Sequence, residues 1–179
     1  MEQNELKPKK EGITKFTGQY EFLSLEFPCK ILYEDEEYAT AAVLFYAMRA
    51  DNKRARIRIA RLSPLKARSK SLALPENPDY DDNREDYLYK ANKAKFDSNP
   101  TLKALLIKTH PKELVNTVTH FDDWIGVSNR NGKGKNALGK SLMKLRDEYI
   151  AEAPPKPKFN TKSKPSSFVS KMKNKPTQS

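Results

Sequence analysis

Residues 132–146 read GKGKNALGKSLMKLR, a glycine- and lysine-rich loop that runs directly into an amphipathic segment. The apolar side chains of this segment recur at helical spacing and lie opposite charged ones. They are Leu138, Leu142, Leu145 and Tyr149. We therefore predict a helix of about three turns here, with the glycines before it forming its entry loop.

Residues 134–141 also match the letters of a phosphate-binding P-loop, GxxxxGKS. A P-loop needs a buried apolar strand directly before its glycine-rich turn, whereas the largely polar residues 127–131 stand in that place. The helical stripe also puts Lys140 and Ser141 inside the helix. We interpret the match as a coincidence.

The entry loop leaves two interpretations open. Two glycines beside two lysines at a helix N-terminus are able to hold an anion through backbone amides and the helix dipole. The alternative is a solvated loop whose Asn136 caps the helix. The candidate residues for a phosphate site are Gly132, Lys133, Gly134, Lys135 and Asn136.

Asp122, Asp123 and Trp124 stand just before the entry loop. Trp124 is able to stack on a planar ring, although a single tryptophan more often packs in a core or at its edge. The two aspartates are candidates for acid–base chemistry, although neighbouring carboxylates on a polar loop are usually just solvated.

The rest of the pattern predicts a mainly helical α+β fold. Extended segments are expected at 19–25 and 28–33, and a short one at 114–119. Helices are expected after a Thr40 cap, over 53–62, 87–96 and from Pro100 to before Pro111, and loops over 74–83 and 124–134. The arginines at 54, 56, 58 and 61 are interpreted as a solvated set that wraps round its helix, a weak nucleic-acid signal.

At 179 residues the chain has room for one ordinary domain. We expect a flexible lead-in at 1–15, a domain at 16–152 and a Lys/Pro-rich, disordered-type tail at 153–179. Cys29 has no disulfide partner, and two histidines with one cysteine predict no metal site. No cofactor is expected, and the absence of a long apolar run predicts a soluble, intracellular protein that does not enter membranes.

The tail carries a side-chain charge of +7 out of the total of +11. Its lysines, interspersed with prolines and two phenylalanines, favour sequence-independent binding to nucleic acid or to an acidic protein surface. A purely solubilising tail is the alternative. The lysines are Lys156, Lys158, Lys162, Lys164, Lys171, Lys173 and Lys175.

Segments between Phe16 and Ile150 resemble, in the same order, the sequence pattern of the NADAR or YbiA-like N-glycosidase family. Residues 20–31, YEFLSLEFPCKI, are similar to the family's FLSNF-type opening, and residues 38–49, YATAAVLFYAMR, to its P(T/S)xEHxFQAxK helix. Residues 132–146 are similar to its GxGxNxLGxxLMxxR ending. The resemblance implies one compact, mainly helical α+β domain with an N-glycosidase site.

The departures from the pattern fall where the resemblance would place the chemistry. Ala42 and Val43 stand in place of the family's Glu–His pair, and Leu25 in place of the asparagine of the opening. Asn116 replaces a glutamate, and Phe121 the aspartate three residues before the tryptophan. An N-glycosidase stabilises an oxocarbenium ion and activates water with carboxylates, which these side chains cannot do.

We therefore predict a non-catalytic NADAR-like scaffold, attached through its tail to nucleic acid or to other subunits of an assembly such as a virion. Its expected location is the cytoplasm, or the virion if the protein is viral, for example phage-encoded. The alternative is a divergent N-glycosidase acting on an ADP-ribose-like or riboflavin-precursor nucleotide. In that case the resemblance implies that Trp124 stacks on the substrate, Lys133 and Lys135 hold phosphate, and Asp122 or Asp123 supplies the carboxylate.

Overall fold

A computed structural model describes residues 12–118 and 123–152, which form a domain built mainly from helices. A 3-10 helix, Gly18–Leu23, comes first. The α-helices are α1 Ala41–Met48, α2 Lys53–Ala60, α3 Pro64–Leu72, α4 Arg84–Asp97, α5 Pro100–Lys108 and α6 Ala137–Glu152. The strands are β1 Ile31–Tyr33, β2 Glu36–Tyr38, β3 Thr117–Val118 and β4 Val127–Ser128. The predicted mainly helical α+β fold is confirmed.

Helix α1 lies at the centre of the domain. All of its residues except Tyr46 are buried, and α2, α3 and α4 pack around it. The predicted cap is present, because the Thr40 hydroxyl accepts a hydrogen bond from the Val43 amide at 3.1 Å. A helix that is apolar all round must be enclosed by protein, so every side of α1 except that of Tyr46 contributes to the core.

Helix α6 confirms the predicted closing helix. Its stripe packs against α4 and α5, with Leu142 and Leu145 fully buried and Leu138 and Tyr149 at 2% exposure. Lys140 and Ser141 lie within the first turns of the helix. Because α6 already begins at Ala137, residues 137–139 of the match are helical and do not form a phosphate-wrapping loop, which supports its interpretation as a coincidence.

The strands form two small sheets. β1 and β2 pair antiparallel, with Ile31 opposite Tyr38, and the turn between them holds Glu34 and Asp35 at φ values of 49° and 65°. Two successive positive φ values are the geometry of the tight hairpin turns that suit the twist of strands. β3 and β4 pair parallel, with Thr117 opposite Val127.

The segment 19–25 was expected to be extended, and this prediction is wrong. The adjacent residues Phe22 and Leu23 are both buried, which an alternating strand does not allow and a 3-10 helix does. Helix α3 was not predicted, because Ser63-Pro64 was interpreted as an end. Pro64 instead occupies the first turn of the new helix, where its missing amide hydrogen costs nothing.

The domain also begins earlier than expected. Ile13 is 5% exposed and lies in the core. Its amide donates to the Glu113 carbonyl at 2.7 Å, and its carbonyl accepts from the Val115 amide at 2.9 Å. The described end of the predicted lead-in is therefore part of the domain, whereas residues 1–11 and the tail lie outside the described residues.

The arginines of α2 differ from their predicted arrangement. Ala55, Ile59 and Ala60 point inwards, while Arg54, Arg58 and Arg61 are exposed. Positions 54, 58 and 61 are four and three residues apart, so these side chains line one face instead of wrapping round the helix. Arg56 stands apart and donates to the Ala50 carbonyl at 3.2 Å.

Candidate functional site

The first part of the candidate site is the N-terminal turn of α1. Ala42 is 2% exposed and Val43 is 0% exposed. The Ala42 amide donates to the carbonyl of Leu25 at 2.9 Å, which brings together two of the positions singled out in the sequence. The Leu25 side chain is also buried. This corner of the domain is apolar, and its side chains offer neither a proton nor a negative charge.

The second part is an aromatic cluster one turn further along α1. The rings of Phe45 and Trp124 are stacked, with 6.0 Å between centroids and 7° between planes. Tyr80 lies 6.0 Å from Phe45, buried within the segment that was predicted to be a surface loop. Burial raises the pKa of Tyr80 to about 12, although the charges of Arg84 and Arg49 act in the opposite direction. Tyr80 therefore stays neutral at physiological pH.

Arg84, at the start of α4, covers the indole ring of Trp124. Its guanidinium carbon lies 3.9 Å from the ring centroid, which is a cation–π contact. The buried Nε atom of Arg84 has no hydrogen-bond partner among the described residues. Trp124 thus packs against Phe45 and Arg84, and a planar ligand that used the same part of the ring would have to displace Arg84.

The entry loop of α6 uses its backbone amides internally. Hydrogen bonds of 2.6–3.2 Å run from four successive amides to carbonyls of the loop that contains Trp124. The pairs are Lys135 to Asp123, Asn136 to Gly126, Ala137 to Trp124 and Leu138 to Ile125. Of the candidates for the phosphate site, Lys135 and Asn136 thus have backbone amides that already donate within the protein. The side chains of Lys133 and Lys135 are exposed and remain able to contact an anion.

Asn136 is a structural residue of this loop. Its φ is 51°, its side-chain oxygen accepts from the Asn116 amide at 2.9 Å, and its side-chain nitrogen donates to the Leu114 carbonyl at 3.0 Å. Gly139 makes room for this arrangement, because a Cβ there would lie 2.2 Å from the Leu114 oxygen. The side chain predicted to cap the helix or bind phosphate instead joins residues 114–116 to the start of α6.

The acidic candidates lie at the surface. Asp122 is outside the described residues, and Asp123 is exposed. A further acidic run, residues 34–37, forms the β1–β2 turn and its neighbours, where Glu37 pairs with Lys30 at 2.6 Å. None of the carboxylates just described is part of the apolar corner at Ala42.

Sequence reasoning missed the burial of Lys95 on α4. This side chain is 0% exposed, and its ammonium group donates to the carbonyls of Phe22 at 2.7 Å and Ser24 at 2.6 Å. Burial lowers the pKa of Lys95 to about 8, while Cys29 acts in the opposite direction. These hydrogen bonds connect α4 to the end of the 3-10 helix. Ser24, one of the two acceptors, directly precedes Leu25 in the chain.

Two surface grooves lie elsewhere on the domain. One of about 810 Å³ runs between β1 and α4, and one of about 250 Å³ runs between α4 and α6. Trp124 and residues 132–136 line neither groove. Within the described ranges, no group of three or more His, Cys, Asp or Glu side chains is placed to hold a metal ion. No helix there is long and apolar enough to cross a membrane.

Residues 5–149 match the family model of the NADAR domain. The chain belongs to the NADAR domain family. A similar solved structure is the NMR structure of the E. coli protein YbiA, with a TM-score of 0.71 and 28% identity. The match covers 84% of this chain and 92% of that one. The predicted family is thus confirmed by sequence and by structure.

Named relatives of this NADAR domain fall into two groups. N-glycosidase YbiA from Escherichia coli K12 is 34% identical over 131 residues, which cover 70% of this chain and 78% of the relative. The riboflavin biosynthesis protein PYRR of Arabidopsis thaliana is 41% identical over 75 residues. That match covers 42% of this chain but 12% of the plant protein, which is much longer.

Proposed function

We propose that this chain is a NADAR domain that has kept the family's fold without its catalytic groups and serves as a binding or scaffold protein. The observation that carries the proposal is the burial of the apolar Ala42 and Val43, where the sequence resemblance places the family's Glu–His pair. Losing one general acid or base costs about 10²- to 10⁴-fold in rate. Losing several groups that act as a unit removes useful turnover.

The proposed partner of the scaffold is polyanionic, either nucleic acid or the acidic surface of an assembly such as a virion. No acidic residue follows Glu152, whereas seven lysines do. Lysines that neutralise phosphates release counterions, which favours binding without sequence preference. The tail lies outside the described residues, so this part of the proposal rests on the sequence.

Deletion of residues 154–179 should weaken binding to a fluorescent DNA duplex by at least about tenfold at 0.1 M salt, because the seven lysines are lost. The thermal midpoint of the domain should not change. A full-length control with these lysines changed to glutamine should behave like the deletion. Unchanged affinity in both variants would remove the tail from the proposal.

A second candidate function is a divergent N-glycosidase, favoured by the name of the YbiA relatives. In that function Trp124 would stack on the substrate after Arg84 has moved, Lys133 and Lys135 would hold phosphate, and Asp123 or Asp122 would supply the carboxylate. Under the leading proposal, no base is released from NAD, ADP-ribose or riboflavin-pathway nucleotides. Release that is lost in Asp123→Ala or Asp122→Ala would establish the second candidate instead.

A further inference from the structure

The net positive charge of the chain comes from two segments. Residues 52–75 carry eight basic side chains and no acidic one, and the tail carries seven lysines. The rest of the chain has a formal charge of −4, although the total is +11. Residues 52–75 contain α2 and α3, and this segment, the basic hairpin, is the one whose geometry the structure describes.

The basic hairpin turns its small residues inwards and its cations outwards. Both helices pack on α1, α2 through residues that include Ala55 and Ala60, and α3 through Ala67 and Ser71. Most of the basic side chains of both helices are exposed. They are Lys53, Arg54, Arg58, Arg61, Lys66, Arg68 and Lys70.

The three arginines on one face of α2, the last of them its C-terminal cap Arg61, form a row about 10 Å long, from the rise per residue of a helix. Arg54, Arg58 and Arg61 are all exposed along it. A nucleic-acid duplex carries one negative charge per about 1.7 Å of its axis. A row of this length therefore faces several phosphates at once.

These cations are not neutralised by the protein. In the part of the chain that the structure describes, Arg56 alone among the basic residues of the hairpin lies within 4.0 Å of a carboxylate, that of Glu34. Lysines elsewhere differ, since Lys30 pairs with Glu37 and Lys90 with Asp86, both at 2.6 Å. The basic hairpin thus has a positive electrostatic potential on its solvent-facing side.

We propose that the basic hairpin is a docking surface for the phosphate backbone of duplex nucleic acid. Guanidinium groups suit phosphate oxygens in geometry and hydration, and such contacts position a protein without reading sequence. Residues 52–75 contain no aromatic side chain. Single-strand binding relies on aromatic stacking, so a duplex fits this surface better than a single strand does.

Two leucines on α3 are the feature that a lipid surface would use instead. Leu65 is 75% exposed and Leu72 is 61% exposed, seven residues apart on the same side of the helix. Anionic vesicles therefore serve as the competing partner in the test. The duplex surface depends neither on the tail nor on the loss of catalysis.

The test compares two charge-matched triple variants of the full chain by fluorescence anisotropy on a DNA duplex of about 25 base pairs, which is long enough for several phosphate contacts. One variant carries Arg54→Gln, Arg58→Gln and Arg61→Gln. The control changes exposed lysines elsewhere to glutamine, at Lys15, Lys108 and Lys140. We expect the arginine variant to lose at least about tenfold in affinity at 0.1 M salt and the control less than about threefold.

Salt dependence provides a second readout. The slope of log K against log salt should fall by about 3 in the arginine variant, because three phosphate contacts disappear. A variant with lysine at the three positions should retain most of the affinity. This measurement stays distinct from the tail experiment, since the tail is intact in every variant.

The proposal is overturned if the two triple variants weaken duplex binding equally or if the intact chain does not bind a duplex. It is also overturned if a single strand of equal length binds more tightly, or if phosphatidylglycerol vesicles bind and the duplex does not. Thermal melts verify that each variant is folded. These outcomes leave the non-catalytic proposal untouched.

Discussion

Ala42→Glu should destabilise the domain by about 4 kcal/mol or more, measured as the free energy of unfolding in urea at pH 7. Ala42 is 2% exposed in the first turn of the central helix, beside the buried Leu25. A glutamate there must either bury its charge or push the helix away from its neighbours. Since domains are stable by about 5–15 kcal/mol, the loss is a large fraction of the total.

Ala39→Glu is the matched control, because Ala39 is exposed three residues earlier. It should change stability by no more than about 0.5 kcal/mol. If Ala42→Glu were as well tolerated as Ala39→Glu, position 42 would open into a cavity, and a catalytic pocket would have room to exist there. That outcome would favour the N-glycosidase candidate.

Lys95→Met should cost about 2–4 kcal/mol of unfolding free energy at pH 7. Methionine fills nearly the same space, but it leaves the carbonyls of Phe22 and Ser24 without their donor in a buried place. An unsatisfied buried acceptor costs about 1–3 kcal/mol, and relief from burying the ammonium offsets part of the sum. Lys90→Met, at an exposed position of the same helix, is the comparison and should cost far less.

The pH dependence of stability identifies the buried ammonium itself. The pKa of Lys95 is lowered to about 8, so between about pH 8 and 10.5 the unfolded chain holds a proton that the folded chain has released. Stability therefore rises with pH in this window, by about 1 kcal/mol between pH 7 and pH 9. Lys95→Met should lack the rise. A rise of equal size in the variant would show that another group titrates.

At higher pH, other groups make stability fall and so limit the pH range in which the Lys95 effect can be measured. Burial raises the pKa values of Cys29 and of Tyr80, which are neutral when protonated. Their contributions to stability are present below their unfolded pKa values and are lost above them, from about pH 9 for the thiol and pH 10 for the phenol. Comparison of the two proteins up to pH 9 keeps these losses small.

Local patterns in the sequence predicted most of the helices, because their signals are short-range. The stripe of α6 and the Thr40 cap of α1 both depend on residues within one or two turns. The 3-10 helix was not predicted, because the buried neighbours Phe22 and Leu23 follow neither the period of a strand nor that of an α-helix. Helix α3 was not predicted either, because a proline marks the start of a helix as readily as its end.

The candidate site was less predictable, since its contacts join distant segments. The sequence singled out Ala42, Leu25 and Trp124. No local sequence pattern indicates that Phe45 stacks on the indole ring and that Arg84 covers it. For the α6 entry loop the sequence left an anion site and a solvated loop open, and neither anticipated that carbonyls of the Trp124 loop accept from its amides. Such pairing is set by the packing of whole elements, which a periodicity does not encode.

The most direct test of the central claim is single-turnover cleavage, with this protein in excess over NAD, ADP-ribose or a riboflavin-pathway nucleotide and YbiA from E. coli as the positive control. Released base is followed by chromatography with mass detection. The absence of the Glu–His pair predicts a rate at least about 10⁴-fold below that of YbiA on any nucleotide that YbiA cleaves. Release within about a hundredfold of the YbiA rate would contradict the account and show that a carboxylate elsewhere has taken over the chemistry.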